Sequence, residues 1–503
     1  MDVMIKCARA TFWLSLGFAV ASLISAGAMI IIARLLGTAN YGLYSAVFFI
    51  VAIIQIIETF GMGVTLIRYV ARTKDKSERA RYVKAVMIFE GIMAVCLGGF
   101  LIFFSDLIAS FLQKAELSLL LKIASLMIFA MAMQVVGLNY FIGISRAKIA
   151  AFFFITTSIL RNGLAIALVL LGYGVIGAIS GQAIGIFSTS LILFLATLIS
   201  VKPSGTISDI LKEMIVFATP FAVSSIMLTL GRQVYNLLAI MVLTKSELGV
   251  FSAAVMTFLV ILGVINTIVA GFLPSFSQIS IDEIRASFGK WVKYIGYVIG
   301  FMFSVMFAAG RFIIPLVFGE AFLMGGVYFV SFSFVLISAM LGLQVVISII
   351  LGIGRTKYIA LMWIPSIIIG LVSSLVLLDY WYAYAIILGY IITYNLAAVI
   401  GLIIIRREVG VSIDMVAFAK ILLISIVSGV LGFELAVFSN LIINLIVSTV
   451  FSVAGFLGLT LVIRPLSFKE MKEIAGIIRH MPLIGEVSVI IALKIYRIYK
   501  RIR

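Results

Sequence analysis

Charge is scarce in this 503-residue chain. Asp, Glu, Lys and Arg make up 11% of it, against 64% hydrophobic residues and a mean hydropathy of +1.29. That balance excludes a soluble globular protein. Histidine is nearly absent: His480 stands alone. No His, Cys, Asp or Glu cluster has metal-ligand spacing, so no metal centre is expected. The two cysteines, Cys7 and Cys96, fall in the N-terminal tail and inside an apolar run, which argues against a disulfide and leaves the redox compartment open. No phosphate loop of the Walker type is present, and no nucleotide-binding domain is attached, so ATP-driven work by this chain alone is not expected. Long polar loops are missing too. The segments 105–118 and 313–324 are short and lack histidine. No folded catalytic domain outside the membrane is expected, and the chain reads as a non-enzyme.

What is present is a series of apolar runs of about 20 residues, the length that crosses a hydrocarbon core. They are continuous rather than alternating, which excludes a strand barrel. Lipid cannot satisfy an open backbone, so each run must be helical. Fourteen spans are expected: 12–33, 43–66, 85–104, 119–140, 150–171, 176–199, 216–243, 250–272, 294–312, 325–351, 359–378, 384–404, 417–438 and 441–463. The first, Phe12–Ala33, is too long for a signal-peptide core and reads as a spanning helix.

The cations orient these spans. With the N-terminus inside, 30 of the 37 Lys and Arg residues fall on the cytoplasmic side, five outside (Arg34, Lys114, Lys122, Lys245 and Arg311) and two within spans. This asymmetry places both termini in the cytoplasm. It also accounts for the net charge of +17 as a topology signal with an attraction to anionic lipid, so no nucleic-acid partner is expected. In the basic tail, Ser467 and Glu470 have capping-box spacing. The run after Pro482 is about half a membrane thick and reads as an amphipathic helix on the inner leaflet.

Two phrases occur twice. Leu36–Val47 reads LGTANYGLYSAV and Leu243–Ala254 reads LTKSELGVFSAA, an offset of 207. Ile142–Lys148 reads IGISRAK and Leu351–Lys357 reads LGIGRTK, an offset of 209. Two echoes at one period indicate an internal duplication. Six spans per copy is an even number, so the copies enter the membrane in the same direction, related by a pseudo-two-fold axis along the membrane normal. The expected organisation is an all-α polytopic membrane protein. It has an N-lobe at 1–200 (spans 1–6), a C-lobe at 201–410 (spans 7–12), an extra helix pair at 411–463, and a cytoplasmic tail at 464–503.

A charge at bilayer depth is costly and usually faces a cavity or a partner. Glu58, Glu90, Arg161 and Arg232 lie well inside spans, whereas Glu434 is near an outer end. Thr157, Ser158 and Arg161 share a helix face, as do Arg232 and Asn236 with Gln233 adjacent. Such polar stripes fit a solvated cavity with a cationic floor, because the planar guanidinium binds phosphate oxygens bidentately and stays charged. The candidate substrate-binding residues are therefore Arg161, Arg232, Gln233 and Asn236. Glu58 and Glu90 are read as countercharges or as groups coupling transport to H+ or Na+, with no other cofactor. The competing reading is that Arg–Glu pairs lock helices together. Gln182, Asn266, Gln344 and the Tyr390, Tyr394, Asn395 group could line the same space or make interhelical hydrogen bonds. Pro220 and Pro365 could kink spans seven and eleven.

The stretch IIIARLLGTANYGLYSAV, followed by FGMGVTLIRYVAR at Phe60–Arg72, resembles the polysaccharide-transporter branch of the multidrug/oligosaccharidyl-lipid/polysaccharide exporter superfamily. These are the O-antigen-type lipid-linked oligosaccharide flippases. The resemblance covers essentially the whole chain. It implies a two-lobed bundle with a cationic cavity, which moves a polyprenyl-phosphate- or diphosphate-linked glycan from the inner to the outer leaflet by alternating access. It implies a multi-pass cell-membrane location, lipid-linked glycan and membrane lipids as partners, glycan polymerases or glycosyltransferases as neighbours, and a monomer. Arg161 falls where related flippases commonly carry a cation in helix five. Arg232 falls where they often have an acidic–basic pair, here incomplete because Gly231 precedes it. Related lipid II flippases carry interior arginines in helix one. This chain has none there, Arg34 being at the outer end, which argues against lipid II. Two alternatives stand. A multidrug extrusion antiporter of the same superfamily usually has twelve helices and an acidic cavity. A membrane glycan polymerase or ligase would need a substantial outer loop. The glycan, the carrier and the coupling ion are not legible in the sequence.

Overall fold

A computed structural model describes residues 2–202, 205–270, 281–352, 355, 357–467 and 470. Among these residues the chain is all-helical. Twelve helical stretches are long and apolar enough to cross a membrane, and the protein is a multi-pass membrane protein. Two of the twelve, Phe12–Arg72 and Ala147–Val201, are of double length. Both turn back on themselves, each being two helices rather than one.

The first reversal is at Gly37, whose φ of 71° and ψ of 175° interrupt the helix Asp2–Thr59. It separates α1 (2–36) from α2 (38–59, continued by Met62–Arg72). Ser25 and Tyr44 would be about 28 Å apart along one straight helix. Instead they are joined by a short chain of side chains: Asn162 Nδ2 donates to Ser25 Oγ at 3.3 Å, and Gln182 Nε2 donates to Asn162 Oδ1 at 2.8 Å and to Tyr44 Oη at 3.1 Å. The second reversal separates α5 (Ala147–Leu168) from α6 (Gly174–Val201) across Gly172 and Gly174, with φ of 92° and 53°. Thr157 Oγ1 on α5 donates to Thr189 Oγ1 on α6 at 3.0 Å, which only an antiparallel pair allows. Glycine supplies both turns because it adopts positive φ without a Cβ penalty.

The other helices are α3 (Lys76–Phe111), α4 (Leu117–Gly143), α7 (Ser208–Val242), α8 (Lys245–Ala270), α9 (Ile281–Phe318), a broken α10 (Leu323–Phe332, Leu336–Met340 and Leu343–Gly352), α11 (Lys357–Trp381), α12 (Ala383–Val409), α13 (Met415–Glu434) and α14 (Leu441–Ile463). Pro220 and Pro365 sit inside α7 and α11, which stay helical through them.

The chain divides into two compact units. The first is Met1–Met256, Val317–Phe322 and Ile359–Tyr390; the second is Thr257–Leu316, Leu323–Tyr358 and Ile391–Arg503. The first unit has an apolar core that includes Met62, Leu66 and Val70 of α2, Val83 and Val86 of α3, Phe141 of α4 and Met214 of α7. Beside it, Tyr69 donates to Glu213 at 2.8 Å. In the second unit, α13 and α14 pack on α9. The Ser304 hydroxyl lies 2.7 Å from that of Ser428 and 2.6 Å from that of Ser452, and Arg311 donates to the carbonyls of Phe433 and Ala436 at the end of α13. The expected capping box is formed: the Ser467 amide donates to Glu470 Oε2 at 2.6 Å, and the Glu470 amide donates to Ser467 Oγ at 3.3 Å. Glu470 also pairs with Lys293 at 3.0 Å. The interfacial helix expected after Pro482, like His480, lies outside the described residues.

Candidate functional site

Arg161 sits on α5, half-buried, at the centre of a polar network in the first unit. Its Nη2 donates to Ser25 Oγ of α1 at 3.2 Å. Ser25 is also 2.9 Å from Ser158 Oγ, and Ser158 donates to the Ala21 carbonyl at 2.8 Å. Asn162, the next residue on α5, passes the network through Gln182 of α6 to Tyr44 of α2. Every partner is neutral. Arg161 Nε is buried with no hydrogen-bond partner. No carboxylate lies at ion-pair distance from Arg161 among the described residues.

Arg232, Gln233 and Asn236 lie on α7, also in the first unit. Asn236 Nδ2 donates to Gln233 Oε1 at 2.7 Å. Tyr390 of α12 donates to Asn236 Oδ1 at 3.2 Å and to the Arg232 carbonyl at 3.0 Å. Gln233 and Asn236 are buried and bonded to each other, while the Arg232 guanidinium is half-buried. Among the described residues it has no ion pair. Arg161 and Arg232 therefore anchor different sets of hydrogen bonds among the described residues.

Glu58 of α2 and Glu90 of α3 are 0% and 1% exposed. All four carboxyl oxygens lack a hydrogen-bond partner. Neither pairs with Arg161, Arg232 or any other described cation. Glu434 is exposed at the end of α13, as its position near an outer end suggests.

Several participants were not singled out from the sequence: Ser25, Tyr44 and Asn162 around Arg161, and Lys114, which is 6% exposed and donates to the Ile240 carbonyl. A signal existed for Asn162, since it lies four residues after Ser158 and extends the same polar stripe. Tyr44 lies within the doubled phrase. Gln182 was noted only as one polar residue among several. Among the described residues no group of His, Cys, Asp and Glu could hold a metal ion.

The family model described as "Polysaccharide biosynthesis protein" matches residues 7–280. No curated protein matches the chain. Among solved structures it is similar to lipid II flippase MurJ in an inward closed conformation, with a TM-score of 0.67 at 15% identity, covering 91% of this chain and 98% of that one. It is similar to an inward-facing multidrug resistance MATE family transporter, with a TM-score of 0.62 at 17% identity, covering 79% and 98%. A third likeness is to a MOP superfamily transporter from Pyrococcus furiosus described by the reverse polarity of its binding pocket, with a TM-score of 0.51 at 20% identity, covering 80% and 95%. These likenesses establish the fold. The family match covers more than half the chain and gives the assignment: the protein belongs to the polysaccharide biosynthesis protein family.

Proposed function

We propose that this protein is a flippase that carries a polyprenyl-phosphate- or diphosphate-linked oligosaccharide from the cytoplasmic to the outer leaflet by alternating access. The observation that carries this reading is the state of Arg161. An arginine at bilayer depth is normally neutralised by a carboxylate. Here it is held by hydroxyls and amides alone, with Nε left over. Its charge is thus uncommitted and suits an anionic head group, which a guanidinium engages through two parallel hydrogen bonds. Arg232 supplies a second uncommitted cation. Gln233 and Asn236 brace the helix that carries it rather than offering free polar atoms. The absence of arginine from α1 between residues 12 and 33 separates this chain from a lipid II carrier.

Glu58 and Glu90 are the coupling groups in this proposal. Two buried carboxylates without a counter-cation would carry a desolvation cost of several kcal/mol each. Protonation or a bound monovalent cation removes it. The protein works as a transporter rather than an enzyme, beside the glycosyltransferases and polymerase that make and use its cargo. The test is reconstitution with a defined lipid-linked sugar. Arg161→Ala with Arg232→Ala should abolish translocation in a protein that still purifies as a folded monomer, and undiminished translocation by that double variant would sink the proposal. Uncompensated cations disfavour a cationic-drug exporter, and drug efflux measured with and without an ion gradient checks that alternative.

A further inference from the structure

We infer that Tyr44 is a second ligand of the anion at Arg161, its hydroxyl donating to an oxygen of the phosphate head group. The inference deepens the flippase reading and rests on it for the identity of the anion. The free donors themselves rest on the direction of each hydrogen bond in the network.

Those directions follow from one backbone carbonyl. Asn162 Nδ2 lies 2.7 Å from the Ser158 carbonyl oxygen. A carbonyl oxygen only accepts, so this end of the Asn162 amide is the nitrogen, and Oδ1 faces Gln182. Oδ1 also only accepts, so Gln182 presents Nε2 to it, at 2.8 Å. That nitrogen carries a second hydrogen, which goes to Tyr44 Oη at 3.1 Å. Tyr44 therefore accepts from Gln182 and keeps its own hydrogen to give. Around Arg161 the directions are fixed in the same way. Ser158 donates to the Ala21 carbonyl at 2.8 Å, so across the 2.9 Å between the two hydroxyls Ser25 is the donor. Ser25 Oγ then accepts from Arg161 and Asn162, at 3.2 and 3.3 Å.

Two groups of the network are left holding a hydrogen with no acceptor among the described residues. They are Arg161 Nε and the hydroxyl of Tyr44, a residue 8% exposed. Buried polar groups are rarely left this way, and a buried tyrosine hydroxyl usually finds a partner. Both groups are donors, and one belongs to a cation. Water accepts from a donor but leaves the guanidinium charge unanswered. A phosphate oxygen accepts and neutralises at once.

Tyr44 is held in place for this contact. Its ring packs on Tyr41 and Phe48, with centroids 5.9 and 4.7 Å away. Tyr44 Oη and Asn162 Oδ1 share one Gln182 nitrogen, so the hydroxyl stands close to the residue that follows Arg161 on α5. All of these residues belong to the first unit. The second copy of the phrase has Phe251 at the place of Tyr44, and it is fully buried. Phenylalanine thus satisfies the packing in this setting, and the hydroxyl of Tyr44 answers to something else.

The experiment titrates the full chain in detergent with farnesyl diphosphate, a short stand-in for the polyprenyl head group, and with inorganic diphosphate. The parent should bind the prenyl compound more tightly; equal affinities would assign the site to a free anion and overturn the head-group contact. Tyr44→Phe should keep the thermal midpoint of the parent and weaken prenyl diphosphate binding about tenfold or more, as loss of a hydrogen bond to a charged group does. Arg161→Ala should abolish binding. If Tyr44→Phe binds like the parent while Arg161→Ala does not, Tyr44 is no ligand and the flippase reading stands. If both variants bind like the parent, or the parent does not bind, the inference and the role of Arg161 fall together. A second arm serves even if Tyr44→Phe unfolds. With ortho-fluorotyrosine in place of Tyr44, the hydroxyl is a stronger donor and a weaker acceptor at nearly unchanged size. Prenyl diphosphate should then bind more tightly than to the parent. Unchanged or weaker binding would leave the hydroxyl as an acceptor for Gln182 alone and overturn the inference.

Discussion

An arginine without a carboxylate and two carboxylates without a cation sit in the same unit of this protein, and neither satisfies the other. Sequence reading found all three, and Arg232, because a charge inside an apolar run stands out. It did not find most of the partners. Serine, asparagine and tyrosine are common in spanning helices, and which of them meet depends on helix rotation about the axis, which composition does not encode. The geometry separates charge from shape at Arg161. Arg161→Lys keeps the cation but loses the planar fork. It should leave folding intact and reduce translocation more than tenfold, read in the reconstituted assay. At the carboxyl pair, Glu58→Gln or Glu90→Gln removes an ionisable group whose oxygens have no partner. The thermal midpoint in detergent should be unchanged or raised, while the dependence of transport on pH or sodium should flatten. A variant that unfolds would instead mark the pair as structural.

At the scale of elements, the centres of the spans were legible and the ends were not. The span expected at 85–104 is a helix running from Lys76 to Phe111, because a helix continues past the hydrocarbon wherever its backbone bonds are worth keeping, and hydropathy reports only the lipid-facing stretch. The span expected at 325–351 is broken at Gly342, where φ is 84°. Helix contacts follow small residues. Gly181 and Gly185 of α6, spaced as Gly-xxx-Gly, press on Ala165 and Arg161 of α5, the packing by which spanning helices associate without a hydrophobic drive. Gly185→Leu should cost about 1–3 kcal/mol through overpacking, seen as a lower thermal midpoint, and should impair transport by displacing Arg161. At the start of α13, Asp414 accepts from the Ala417 amide at 2.9 Å. That amide, and beyond it Lys293, hold its carboxyl below the ordinary value of 3.8. A depressed acid stabilises the fold above its unfolded pKa and loses that contribution only as pH falls through the lower, folded value. Asp414→Ala should therefore cost about 0.5–1 kcal/mol at pH 7, as helix caps do, with no change in that difference between pH 8 and 5.

For the whole molecule, the expected orientation and the shared face of two turns are separate matters. The 30-to-5 distribution of cations across the expected loops gives each loop a side. Separately, the hydroxyls of Thr38 and Ser246 meet, so the turns that start α2 and α8 share one face. That is possible only if an even number of spans lies between them, as the six of α2–α7 do. A miscount by one span would place these turns on opposite faces, about 30 Å of hydrocarbon apart. The compact units, by contrast, were not legible. The first gathers α1–α7, the first half of α8, the short stretch Val317–Phe322, most of α11 and the opening of α12, so sequence halves and packed units need not coincide. The face itself can be checked. The end of α11 and the turn after it carry exposed Tyr380, Trp381 and Tyr382, an aromatic set suited to a membrane–water interface, which the charges lead one to expect outside. In a chain lacking Cys7 and Cys96, Asp379→Cys should react with a membrane-impermeant thiol reagent on intact cells. Lys74→Cys, in the basic turn between α2 and α3, should react only after the membrane is opened. The reverse pattern would invert the protein.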